Sequence, residues 1–247
     1  EISACLVGSE MCIRDSPRIG ANALIERAQV ANQVKLDLLS LGDHHLTPVN
    51  YFQNVPMLGR LMGEWNSRPV GCLFLLPLWN PVLVAEQVGT LAALTQSTFV
   101  IQTGVGDGQY TFDAMGASLR TRGMSLEESI TEIKAIFDRQ GVTGNLNLQV
   151  NPIPNQKVEW WIGASTSIKG IQRAAIMGDA WYAAPFLDPV KAKELLAHYL
   201  QACEEHGNEP RPVIRKDVII LEDGQRAMKV GNQIIESGSR GMKSDAV

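Results

Sequence analysis

Two adjacent imidazoles, His44 and His45, follow a glycine and a carboxylate, Asp43, at the end of a short apolar run over residues 36–41. An imidazole titrates near neutral pH, so it can give or take a proton during turnover. The run is too short for a buried helix. Parallel strands covered on both faces are almost continuously apolar, which leaves polar residues for the exposed end. In α/β barrels and open α/β sheets the C-terminal strand tips carry the active site, and His44 and His45 occupy such a tip. The plainer alternative is a polar pair satisfied within a loop. A metal site is the weaker idea, because two adjacent His and one Asp from a single strand end do not converge on one centre. No metal is expected.

Other strands must bring partners to this tip. Leu24, Ala28 and Ala31, with Ile25 beside them, space out an amphipathic helix leading into the first run. A second run, residues 70–76, closes at Pro77, and Asn80-Pro81 opens a helix whose buried stripe is Val84, Val88 and Leu91. A third, residues 99–101, feeds the glycine loop Gly104-Val105-Gly106. Ser125 and Glu128 match a capping box ahead of Ile130, Ile133 and Phe137. Strands follow at residues 158–163, 180–183 and 218–221, with helices over about 167–177 and after Asp188-Pro189, the latter buried through Leu196, Tyr199, Leu200 and Cys203. Residues 138–157 read as a long loop with a short strand near 146–150. Six strands alternating with helices make an α/β architecture on a parallel sheet.

Gly163-Ala164-Ser165-Thr166 lies where a strand passes into a helix, so backbone N–H groups and the helix dipole can hold a phosphate there. An ordinary helix cap by Ser165 or Thr166 would look the same. Trp79, Trp160, Trp161 and Trp181 near strand ends fit either a pocket wall or the core.

Composition narrows the class. At 247 residues and 45% hydrophobic the chain suits one barrel-sized domain, and no linker divides it. A net charge of -4 without any basic run argues against a nucleic-acid surface. No segment reaches the roughly 18–20 apolar residues of a membrane span. Cys5, Cys12, Cys72 and Cys203 show no disulfide or metal spacing, which fits a reducing cytoplasm. Residues 1–16 resemble one reading frame of a transposase adapter used in DNA library preparation, and are set aside as non-native, the alternative being a genuine N-terminal arm. Glu10, Arg14 and Asp15 break any signal-peptide core. The domain is therefore expected over residues 17–236, with a flexible Ser/Gly-rich tail at 237–247.

Five strand-tip segments in order resemble the bacterial-luciferase-like family of flavin-dependent oxidoreductases and monooxygenases. They are Ser40-Leu41-Gly42-Asp43-His44-His45; Leu75-Leu76-Pro77-Leu78-Trp79-Asn80-Pro81 with Ala85-Glu86-Gln87; Gly104-Val105-Gly106; Trp161-Ile162-Gly163-Ala164-Ser165; and Gly178-Asp179-Ala180-Trp181. The resemblance implies a (β/α)8 TIM barrel. Residues before Pro17 do not read as its first strand and nothing after Leu221 supplies the eighth, so an incomplete barrel is expected. Phe99 and Gln102 stand where many members carry Arg and Gly.

The resemblance further implies reduced FMN acting with dioxygen on a small organic substrate, a flavin reductase as a possible partner, and a homodimer at full length. His44 becomes the acid/base or intermediate-stabilising group, oriented by Asp43, with His45 beside it. Cys72-Leu73 aligns with a non-prolyl cis peptide of relatives, an ordinary trans strand being the alternative. Gly104 and Gly106 let the flavin approach the backbone, and Gly163, Ala164, Ser165 and Thr166 take its phosphate. The deazaflavin F420 as a hydride carrier is the second reading. Its polyanionic tail favours basic residues, of which the loops show few beyond Arg120 and Arg122. A noncatalytic flavoprotein is the third.

Overall fold

The computed structural model describes residues 5–7, 16–47, 51–65, 68–216, 219 and 221–236. Seven strands pair in chain order: β1 (Cys5–Val7), β2 (Leu38–Leu41), β3 (Val70–Phe74), β4 (Phe99–Thr103), β5 (Val158–Ala164), β6 (Ala180–Ala183) and β7 (Pro212–Ile214). Every pairing is parallel. Between them run α1 (Pro17–Gln33), α2 (Asn54–Met62), α3 (Pro81–Ala92), α4 (Gln109–Ala114), α5 (Arg122–Phe137), α6 (Ile168–Met177) and α7 (Pro189–His206), and α8 (Gly224–Glu236) follows β7. Crossovers between parallel strands share one hand, so strands added always on the same side put their helices on one face. The sheet curls away from that face into half of a barrel. Among the described residues no eighth strand closes it.

Side chains alternate across this sheet and so build two cores. Outward, Leu39, Leu41, Cys72, Phe74, Ile101, Trp160, Ile162 and Trp181 meet the helices in the main core. Inward, Leu38, Val100, Trp161, Ala180 and Tyr182 form a smaller cluster joined by Val213. The inward row is closed toward its N-terminal end by Glu159. That carboxylate accepts from Lys157 Nζ at 2.8 Å, Trp161 Nε1 at 3.0 Å and Arg211 Nη1 at 2.6 Å. Burial works to raise its pKa, but these donors and the Arg211 charge outweigh it and hold Glu159 below the usual carboxylate value.

Several expectations need correction. Residues 5–7 do pair as a first strand, against the reading that nothing before Pro17 supplies one; residues 8–15 and the tail at 237–247 lie outside the described residues. The last strand is Pro212–Ile214, earlier than residues 218–221, of which only Ile219 and Leu221 are described and neither is in a strand. A proline-led run of three residues gives too little apolar pattern to read. Residues 146–150 hold no strand, the local bridge being Val142 with Asn145. The helix predicted from Ser125 begins one turn earlier: Thr121 is the residue before α5, and the Ser125 hydroxyl donates back to its carbonyl at 3.2 Å. In α7 the buried stripe is Leu195, Tyr199, Ala202 and Cys203, while Leu200 is exposed. Asn80 and Asp188 cap α3 and α7 as their Pro neighbours suggest. No helix among the described residues is long and apolar enough to cross a membrane.

Candidate functional site at the strand tips

β2 ends at Leu41, and its alternation continues into the tip. Leu38 and Ser40 point inward and Leu39 and Leu41 outward, so the next residues fall on opposite sides. Asp43 and His45 follow the outward set, and both are buried. Asp43 Oδ2 accepts from the Leu75 backbone N–H and from Trp79 Nε1, each at 2.8 Å. Its Oδ1 stands 3.3 Å from His45 Nε2, an ion-pair contact. Contact with this carboxylate raises the His45 pKa, against the opposing effect of burial. The His45 ring lies 5.8 Å from that of Trp79. His44 is exposed on the other side and meets Tyr51 edge-on, ring centroids 5.6 Å apart. Asp43 therefore orients His45, Leu75 and Trp79 rather than His44, contrary to expectation, because period-two alternation separates neighbours.

A cavity of about 860 Å³ opens at the C-terminal tips of β3 to β7. Leu73, Gly104, Gly106, Gly163, Ala164, Ser165 and Thr166 all line it, whereas Asp43, His44 and His45 do not. Nor does Cys72. It faces the helices, fully buried, where burial pushes its thiol pKa up. The Cys72–Leu73 peptide is trans, since Asn151–Pro152 is the only cis bond among the described residues. The Leu73 carbonyl is held by the buried Asn54 amide at 2.5 Å. Gly106 adopts φ +67°, open to glycine without the usual side-chain strain. Gly163 has another reason to be glycine: an added Cβ would sit 2.6 Å from the Thr103 carbonyl oxygen. Ser167, not Ser165 or Thr166, caps α6 by accepting from the Gly170 N–H at 3.4 Å. Both candidate hydroxyls are thereby released from capping.

Charge is the feature most under-read from sequence. Besides Arg120 and Arg122, the lining includes Lys169, Arg173 and Arg215, against the single carboxylate of Asp107. Arg173 is engaged with Glu127, through Nε at 2.8 Å and Nη2 at 2.7 Å. The others leave the cavity strongly positive. On the inner face, Gln102 Oε1 accepts from Ser40 Oγ at 2.6 Å, while its buried Nε2 and the Thr103 hydroxyl lack partners among the described residues. Such atoms are costly unless something pairs with them. None of the four tryptophans lines the cavity. Trp79, Trp160 and Trp181 belong to the helix side, and Trp161 packs beside Tyr182 at 6.0 Å. Tyr51 and Arg215 are site candidates that sequence reasoning missed, whereas Gln102 stood out only as a departure from the family pattern, its inward place hinted at by the period of β2 and β4.

A family model for luciferase-like monooxygenases matches residues 5–245. The chain belongs to that family. Among solved structures, a luciferase-like fold recurs in a monooxygenase from Streptomyces bottropensis, with TM-score 0.81, 17% identity, and coverage of 93% of this chain and 74% of that one. The oxygenating constituent of 3,6-diketocamphane monooxygenase from Pseudomonas putida, in complex with FMN, gives 0.77 at 16% identity, covering 96% and 74%. An F420-dependent secondary alcohol dehydrogenase bound to an F420-acetone adduct gives 0.67 at 16%, covering 83% and 64%. At these identities the likeness is one of fold. Uncharacterised proteins of Mycobacterium bovis and Mycobacterium tuberculosis are 27% identical over 138 residues, which is 53% of this chain and 47% of theirs. The chain spans about half the length of these curated relatives.

Proposed function

We propose that this luciferase-like chain is a flavin-dependent oxidoreductase that uses reduced FMN and dioxygen on a small organic substrate. One observation carries the reading: the positive cavity brings together the glycine loop, the Gly163–Thr166 turn and Thr103, whose buried hydroxyl lacks a partner among the described residues. These residues fit the group. Ser165, Thr166, Arg120 and Lys169 would take the phosphate, with α6 beginning just beyond. Gly106 lets the loop backbone come close to the ring. Gln102 Nε2 offers a donor from the inner face, and Leu73 and Leu75 exclude water beside it.

Reduced FMN, when bound, supplies the electrons that activate dioxygen. The chain's share is binding, orientation and proton handling. His44 is the candidate to hold or pass a proton at the tip, because its ring is exposed and free of the Asp43 contact that occupies His45. Asp43 and His45 act as positioning residues, since Asp43 fixes Leu75 in the cavity wall and Trp79 behind it, and His45 packs against Asp43 and Trp79. A soluble reductase delivering reduced flavin, a homodimer at full length and closure into an eight-stranded barrel belong to the same proposal.

F420 is the second reading, and the five cations lining the cavity favour it more than the sequence suggests. Parallel titrations with FMN and F420, followed by absorbance, decide between them. Tighter FMN binding, with dioxygen consumed from its reduced form, supports the first reading. Tighter F420 binding, or flavin bound without any oxygen consumption, overturns it.

A further inference from the structure

The inner face carries one cation that the phosphate cradle leaves unexplained. Arg215 stands directly after β7, two residues beyond the inward Val213 and four beyond Arg211, which binds Glu159. Period-two alternation therefore places it inward, at the strand tip. Its guanidinium carbon lies 5.0 Å from the Tyr182 ring centroid, and Nη1 donates to the Tyr182 hydroxyl at 3.3 Å. Among the described residues, the buried Nε has no hydrogen-bond partner and no carboxylate pairs with this side chain. Leaving a guanidinium N–H desolvated and unpaired is costly unless a ligand completes it.

We propose that Arg215, seated on Tyr182, is a recognition site for the carboxylate of a small apolar acid. The planar fork of arginine matches two carboxylate oxygens, and the tyrosine ring beneath it keeps the fork in one plane. Leu73 and Leu75 line the same cavity and suit an apolar body on the acid. A phosphate finds better provision at Ser165, Thr166, Arg120 and Lys169, outside the strands and around the start of α6. The Arg215 charge also reaches Tyr51, whose hydroxyl pKa is pushed up by burial and by Asp43 and pulled back by this arginine. That ring touches His44. A carboxylate held at Arg215 would place the body of its molecule in the cavity that Leu73 and Leu75 line, whose lining does not include His44. Only the naming of this acid as substrate rests on the proposed function; the binding site does not.

Benzoate is the probe, with benzamide as its uncharged counterpart, titrated by calorimetry into the chain with and without FMN. Benzoate should bind and benzamide bind at least tenfold more weakly. Arg215→Gln should weaken benzoate by about 10- to 100-fold, the size expected for losing hydrogen bonds to a charged group, while FMN affinity stays within twofold. Arg215→Lys keeps the charge but not the fork, and should lose benzoate affinity by a smaller factor. It carries the test if the Gln variant melts early. Arg120→Gln should weaken FMN and leave benzoate unchanged. Equal binding of the two probes, no benzoate binding, or an Arg215→Gln variant that loses FMN but not benzoate would each overturn the proposal. Failure of FMN to bind sinks the proposed function instead, and the benzoate titration without flavin still stands.

Discussion

Asp43 Oδ1 lies 3.3 Å from His45 Nε2, while its other oxygen holds the Leu75 and Trp79 N–H groups. Adjacent histidines are thus given different work. His44→Ala should lower kcat by about 10²- to 10⁴-fold with flavin affinity nearly unchanged, the range for losing acid/base help. His45→Ala should instead lower the melting temperature and weaken flavin, since it loosens the wall behind Leu75. Full activity in the His44 variant with a large kcat loss in the His45 variant would reverse the assignment.

The same pair makes a pH prediction. The folded-state pKa of His45 is raised, so the stability it contributes is fully present below the unfolded value and is lost as pH rises through the folded one. Melting temperature should fall from about pH 6.5 upward, the region of an unperturbed histidine. His45→Gln should flatten that limb. A wild-type profile level across this range would show that the contact stabilises nothing.

Glu159 makes the opposite prediction at the acid end. Its folded pKa is depressed by Lys157, Trp161 and Arg211 despite burial, so its contribution is present above the unfolded value and lost as pH falls through the folded one. Acid unfolding monitored by circular dichroism should be less steep in Glu159→Gln. The neutral variant should also be less stable at pH 7, because Arg211 loses its counter-charge at the inner end of the sheet. An unchanged acid limb would place the controlling carboxylate elsewhere.

Fully buried parallel strands announce themselves, which is why β3, β5 and β6 could be read nearly to the residue: residues such as Phe74, Ile162 and Trp181 are apolar because both faces are covered. The same continuity hides orientation. In an apolar run nothing marks which neighbour faces inward, and only Ser40 and Gln102, polar at alternate positions, carried that signal for the tip where His44 and His45 diverge. The glycine and serine turns were legible because special backbone needs select special residues. Arg215 was not, because β7 is too short to set a register and its meaning comes from Tyr182, 33 positions away in sequence. Lys169 and Arg173 look like ordinary helix-surface charges in the sequence, and only the folded chain shows that they line the cavity.

The phosphate assignment is tested at Ser165 rather than Gly163. A side chain at Gly163 would press on the Thr103 carbonyl and disturb the β4–β5 pairing, so loss of binding there would not separate anion recognition from a damaged sheet. Ser165 does not cap α6, which is the task of Ser167. Ser165→Asp should therefore leave folding intact while setting a carboxylate where the phosphate would sit. FMN should weaken by roughly tenfold or more, since like charges compete for the same donors, and riboflavin, lacking the anion, should not change. Ser167→Ala is the companion: it should cost about 0.5–1 kcal/mol of stability, as cap removal does, and shift both ligands alike. Equal weakening of FMN and riboflavin by Ser165→Asp would mean that this turn meets the ring, and that the phosphate lies with Arg120, Arg122 or Arg215.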